Sequence, residues 1–222
     1  KSLANSGTGR AIVEAYLDGP EFSLDAIVVD GQVTIRGSAD RLVTFSPFFV
    51  EMGHTMPTAY GDHVVEAVSE VFRDGIAALG ITRGAAKGDI KYTRDGAVVG
   101  EIANRLSGGY MSGWTYPYSS GIDVTSEAID IACGLCPAPA GPDMRRVCAE
   151  RAFISIPGIV AEVSGIGEAR CARSVKDVFV RVAAGDTVVF PSNNVQKCGN
   201  VIALADDRAS AETSAEEAAR NI

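Results

Sequence analysis

Hydrophobic and polar positions alternate with a period of two through much of this chain. Residues 11–30, AIVEAYLDGPEFSLDAIVVD, read as an apolar run, a Gly-Pro turn and a second alternating run. Alternation of this kind predicts half-buried strands. Two further runs, GDIKYT and DGAVVGEIA, meet at Arg94-Asp95-Gly96. Asp-Gly between such runs signals a hairpin, and Asp30-Gly31 is a second instance, so the strands are expected to be mostly antiparallel. Between these runs the period changes. Val64, Val65, Val68, Val71, Phe72 and Ile76 recur at helical spacing. They predict a helix over Asp62–Leu79, with Asp62 as its N-cap and Gly80 as its stop. A shorter helix is predicted over Asp123–Cys133.

The segment CPAPAGPDMRR, from Cys136, is a Pro/Gly-rich break and a natural boundary. Beyond it, RAFISIPGIVAEVSGI, DVFVRVAAGDTVVF and NVIALADD read as short strands with Gly-rich turns, closed by a helix over Ser210–Ala219. The expected class is α+β. Its organisation is a link over 1–10, a larger lobe over 11–136, a linker over 137–148 and a small β-rich domain over 149–222. Residues 108–121, GGYMSGWTYPYSSG, hold the only tryptophan and three of the six tyrosines. Their Ser, Gly and Pro content predicts a loop, which either carries specificity or packs the two units together.

Composition removes several functions. The chain has 222 residues, 46% of them hydrophobic, enough to bury a real core. A net charge of −8 argues against a nucleic-acid partner, which needs a basic face. No apolar run approaches the ~20 residues of a membrane span. Five cysteines without a signal core fit reduced thiols and a cytoplasmic location. Cys133-Gly-Leu-Cys136 has metal or redox spacing, but no second such pair or nearby histidine completes a zinc set.

The richest chemistry lies in GDIKYTRDGAVVGEIANRLSGG, residues 88–109. A hairpin brings Asp89 and Glu101 together, and Arg105, Gly108 and Gly109 follow closely. Two carboxylates, an arginine and exposed amides suit Mg²⁺-dependent phosphoryl transfer. Taken alone, two acids on a hairpin also describe a solvated face. With VEAYLDGPEFSLDAIV and FFVEMGHTMP upstream, in that order, the sequence resembles the carboxyl-terminal lobe of the ATP-grasp fold, closest to ATP-dependent carboxylate–amine ligases that join amino acids.

The resemblance implies roles. Glu14, with the backbone of Tyr16 and Leu17, falls at the adenine-holding hinge, and Glu21 at the ribose-binding acid. Asp89 and Glu101 match the acids that bridge Mg²⁺ (Mn²⁺ as a substitute) to ATP. Arg105 matches the arginine at the transferring phosphoryl group. Glu51 and His54 match an acceptor-substrate pocket, and Gly108 and Gly109 a turn whose amides meet a substrate carboxylate. Competing readings are a solvent-facing strand acid at Glu14, an ordinary loop residue at His54 and a structural Arg105–Glu101 pair. Arg41 reads equally as a conformational or a substrate-side charge. The sequence departs from the family at Ala103, where many members carry a metal-binding Asn (here displaced to Asn104), and at Asp89, where Glu is usual.

The implied partners are small-molecule carboxylate and amine substrates, and amino-terminal domains of the same enzyme that precede this segment. A homodimer is compatible. A purine-pathway ligase, a biotin-carboxylase-like enzyme and a non-catalytic binding or scaffold protein of this fold are the alternatives. RLSGG replaces the acidic segment expected of the carboxylase.

Overall fold

The computed structural model describes residues 3–137, 141 and 144–222. Part of the expected 137–148 linker therefore lies outside the described residues. The fold is α+β, as the alternation predicted. Its centre is an eight-stranded antiparallel sheet built from β1 (Glu21–Val29), β2 (Gln32–Thr44), β3 (Val50–Met56), β4 (Gly84–Thr93), β5 (Gly96–Ala103), β6 (Val147–Phe153), β8 (Val175–Val180) and β10 (Gly199–Ala205). Their spatial order is β5-β4-β1-β2-β3-β6-β10-β8, and β7 (Gly158–Ile159) pairs separately with β9 (Thr187–Val188). The strands after residue 146 join the same sheet as those before it, because β3 pairs with β6 over Gly53–Met56.

Strand β1, EFSLDAIVV, shows how the alternation is spent. Phe22, Leu24, Ala26 and Val28 pack against α1 (Asp62–Ala78) through Val64, Val68, Phe72 and Ile76, in a core that also takes in Ala86 and Ile90. Glu21, Ser23 and Asp25 share the opposite face, since successive side chains alternate. Helix α5 (Arg208–Arg220) lays Ala211 and Ala215 on Ala149, Ala203 and Ala205, with α4 (Ile166–Cys171) beside it through Ala169 and Val178. The other face of the sheet is covered by α2 (Tyr116–Ser120) and α3 (Val124–Ala132), through Tyr116, Val124, Ile131 and Met111.

Three expectations are corrected. Residues 11–18 form no strand; they run irregularly up to β1, with Ile12, Val13 and Tyr16 exposed rather than half-buried. Gly61, not Asp62, caps α1; Asp62 is the first helical residue, where its charge favours the helix N-terminus. The aromatic segment is helical rather than a loop. Met111–Thr115 forms a π-helical turn and α2 follows, Pro117 falling near its start where no intrahelical donor is needed. Both hairpins and the end of α1 are as expected: Asp30, Gly31 and Gly80 have positive φ.

Helix α1 meets the site-bearing strand β4 at Gly88. A Cβ there would lie 2.6 Å from the fully buried Phe72 ring. Phe72→Ala is expected to cost about 3–5 kcal/mol and Gly88→Ala about 1–3 kcal/mol, read from denaturant unfolding. Combining them should relieve the clash, so the double variant loses less than the sum; strict additivity would contradict this contact.

Candidate functional site

Four acids and four bases converge on the face of the sheet opposite α1. Sheet geometry explains how. Pairing of Ser23 with Asp89, Asp25 with Lys87 and Glu21 with Lys91 places these six residues on one face. Arg41 comes from β2 and Glu51 from β3, while Glu101 comes from β5.

The placement of Glu101 depends on a bulge. A regular ladder from the Thr93–Gly96 pair would set Asp89 opposite Gly100 and turn Glu101 to the other face. The register instead jumps between Asp89 and Ile90, leaving Gly100 unopposed and Asp89 directly across from Glu101. A Cβ on Gly100 would lie 3.1 Å from the Asp89 carbonyl oxygen. Directly opposed carboxylates repel, and Lys87 offsets this. Its ammonium bonds Asp89 and lies 3.7 Å from Glu101.

Arg41 ties the acids of three strands together. Its guanidinium pairs with Glu21, lies 2.8 Å from Glu51 and 3.0 Å from Asp89. Burial alone would lower its pKa, but Glu51, Asp89 and Glu21 more than offset that and raise it. The buried Nε of Arg41 has no hydrogen-bond partner among the described residues. Ser23 donates to Asp89 at 2.8 Å, and Lys91 reaches Glu21 at 3.1 Å. Arg105 is exposed, 3.8 Å from Glu101.

These groups line a cavity of about 390 Å³ that includes Glu51, Asp89, Glu101, Arg105, Gly108 and Gly109. A neighbouring cavity of about 370 Å³ shares Asp89 and Glu101 and adds Tyr16, Leu17 and Glu21. Nine of the eleven sequence-derived residues therefore line one of two adjoining cavities. Glu14 does not; its side chain is exposed in the irregular segment before β1. His54 does not either. It is 2% exposed beneath the π-helical turn, bonded to Thr115 at 2.7 Å and 3.4 Å from Glu150. Cross-strand pairing with Arg41 puts it on the correct face, but the segment after Gly109 covers it.

Sequence reasoning missed Ser23, Lys87, Lys91, Asp25 and Asn194. The first four share the two-residue period of EFSLD and KGDIK with Glu21 and Asp89, a signal that was available. Asn194 carried none; it accepts from the Glu51 backbone at 2.8 Å across 143 residues. Asp25 lies beneath the floor. It is fully buried and accepts from Ser107 N (3.0 Å), Ser107 Oγ (2.7 Å) and Ser112 Oγ (2.6 Å), anchoring both sides of the Gly108-Gly109 turn. Burial raises its pKa although the serines oppose the shift.

Residues 3–113 match the family model of the ATP-grasp domain. The chain belongs to the ATP-grasp family. Residues 152–222 match L-amino acid ligase C-terminal domain 2. An uncharacterized protein, y4rH, of Sinorhizobium fredii is 26% identical over 216 residues, covering 96% of this chain and 44% of that protein. Carnosine synthase 1 of Mus musculus is 30% identical over 142 residues, 63% of this chain and 17% of its own. The L-amino acid ligase of Bacillus licheniformis shares the fold with a TM-score of 0.83 at 20% identity, over 93% of this chain and 54% of that one. The chain thus spans under half the length of y4rH and of carnosine synthase 1, and about half of the Bacillus licheniformis ligase.

ATP-grasp ligases use ATP with a divalent metal, and the donor set here fits a hard cation brought in with phosphate. Asp89 and Glu101 offer two oxygen ligands, and no cluster of three or more metal-ligating side chains stands ready among the described residues. One or two carboxylates completed by phosphate and water is what Mg²⁺ ordinarily accepts. Asn104 lies against Gly84, away from the cavity.

Two outcomes are expected. Arg41→Met leaves three acids without their shared cation and should cost about 3–5 kcal/mol, read from denaturant unfolding at neutral pH. For Asp25, the raised native pKa means the folded state holds its proton more tightly than the unfolded one. Stability of the wild type relative to Asp25→Asn should therefore fall as pH rises from 3.8 through the native value. A flat difference across that window would show that Asp25 does not titrate upward.

Proposed function

We propose that this chain carries the nucleotide- and metal-binding lobe, over residues 11–136, of an ATP- and Mg²⁺-dependent ligase that joins a carboxylate to an amine. Residues 149–222 are read as its appended small unit. The observation that carries this reading is the bulge-set Asp89–Glu101 pair, facing one cleft with Arg105 and the Gly108-Gly109 turn. A charge-balanced cluster of this kind, conditional on a glycine bulge, is hard to reconcile with a scaffold that has no use for it.

In the proposed reaction a substrate carboxylate oxygen attacks the γ-phosphorus of ATP, and the bond to ADP breaks. The amine nitrogen then attacks the acyl carbon, phosphate leaves, and the nitrogen loses a proton. Mg²⁺ held by Asp89, Glu101 and the phosphates would supply positive charge where negative charge develops. Tyr16, Leu17 and Glu21 would border the nucleoside. Lys87 and Arg41, which now neutralise Asp89, are placed to turn toward phosphate oxygens once a cation takes their partner. Arg105 would offer its planar fork to the transferring phosphoryl group. Glu51 and the amides of Gly108 and Gly109 would border the substrates, with Asp25 holding that turn in place.

The test uses the longest polypeptide that contains this chain. Mg²⁺-dependent release of ADP and phosphate is followed across pairs of amino acids. Release is expected to require both a carboxylate and an amine substrate, and to disappear with Glu101→Gln. Arg105→Ala should lower kcat by about 10²–10³-fold. No release with any pair, or release indifferent to Glu101, would remove the ligase reading.

A further inference from the structure

The helix-bearing face of the sheet carries a cavity that the proposed reaction does not use. It measures about 490 Å³, larger than either cavity of the cleft, and shares no lining residue with them. Its floor is Leu42 of β2, Met52 of β3 and Phe153 of β6. Val163 and Val182 close one side, and the last turns of α5 the other, through Glu216, Ala219 and Arg220. The volume falls within the ~300–1,000 Å³ of small-molecule sites, which are mostly apolar with a few polar groups that fix orientation.

Met52 lies in this floor because of a second bulge. A regular ladder from the Leu42–Gly53 pair would set Met52 opposite Val43, on the cleft face, and send Glu51 to the helix face. Val43 instead pairs with Glu51, and Met52 is left unopposed. Glu51 then meets Arg41 in the cleft, while Met52 lines the cavity behind it. Its unbranched, polarizable side chain adapts to ligands of different outline.

The charges around the cavity are unequally committed. Glu216 is shared by Arg151 at 3.4 Å and Arg220 at 3.2 Å, and Arg151 also reaches Glu212 at 3.1 Å. Both arginines that line the cavity are therefore paired. Glu162 is exposed and, among the described residues, has no cation within 4 Å. An apolar molecule entering here meets one uncommitted charge, and it is negative.

We propose that this cavity binds a small apolar amine. Its hydrocarbon part lies among Leu42, Met52, Phe153 and Val163, and its ammonium group at Glu162. The site is across the sheet from the Asp89–Glu101 pair, so this ligand is not a reactant, and its binding does not depend on the ligase reading.

Met52 reports on this cavity and Met111 on the cleft. The longest polypeptide that contains this chain is labelled with carbon-13 in its methionine methyl groups, and the Met52 signal is assigned with Met52→Leu. It is titrated with phenylbutylamine, phenylbutanol and phenylbutyrate, which share one apolar body and differ in charge. Expected is a saturable shift of the Met52 methyl with Met111 unmoved. The amine should bind about two- to fivefold more tightly than the alcohol, and the carboxylate most weakly. Glu162→Gln, at an exposed position, should bring amine and alcohol to equal affinity. Val163→Trp fills the cavity from a segment outside the helices and strands, and should abolish the shift while the Met111 signal keeps its place. No response at Met52, as when another part of the polypeptide fills the cavity, overturns the proposal. So does a Met111 shift that tracks the Met52 shift, equal affinity for the three ligands, or an amine preference that survives Glu162→Gln.

Discussion

Glu21, Glu51 and Asp89 come from three different strands and meet at the guanidinium of Arg41. Lys87, Lys91 and Arg105 neutralise the outer parts of the same group. In a chain of net charge −8, such a concentration of acids is tolerable only with cations interleaved, and the sheet supplies them by strict alternation. The same arrangement defines the function proposed. In that proposal a polyphosphate with its metal would replace one set of charge pairs by another, so that the protein's own lysines and arginines would need only to exchange partners. Electrostatic preorganisation of this kind needs little structural movement.

The mechanical counterpart is Asp25. Its buried carboxylate takes three hydrogen bonds from the serines on either side of the Gly108-Gly109 turn. That turn separates the cleft of Asp89 and Glu101 from the aromatic cavity of Trp114 and Arg181. Few positions in the molecule have so much arranged around them, and none of the anchoring groups touches the reacting atoms in the proposed reaction. The continuity of the sheet through β3 and β6 extends the same logic. Residues as late as Asn194 and Lys197 brace the backbone of Glu51, at 2.8 Å each.

The alternating runs, the α1 face and both Asp-Gly hairpins were legible from the sequence, because period and turn chemistry are local properties. Most of the candidate site was legible too, since Asp89, Glu101, Arg105 and the glycines lie within one short window. Glu14 and His54 lie outside the two cavities for tertiary reasons. Nothing local says that residues 11–18 stay unpaired, or that a π-helical turn closes over His54. The helical state of residues 110–120 was likewise hidden, because Ser, Gly and Pro there fit a loop equally well until Met111 and Tyr116 find a core to bury in.

The sequence by itself determined which residues share a strand face, where chain reversals fall and which side chains could do phosphoryl chemistry. Each of these follows from spacing along the backbone. Only the tertiary structure decided that Gly100 is skipped, so that Glu101 faces Asp89. It also decided that Arg41 is the hub of the acids and that Arg181 arrives beside Trp114 from 67 residues further along the chain. Bulges, shared cations and distant walls depend on which strands become neighbours, and that is settled by the packing of the whole sheet rather than by any window of the chain.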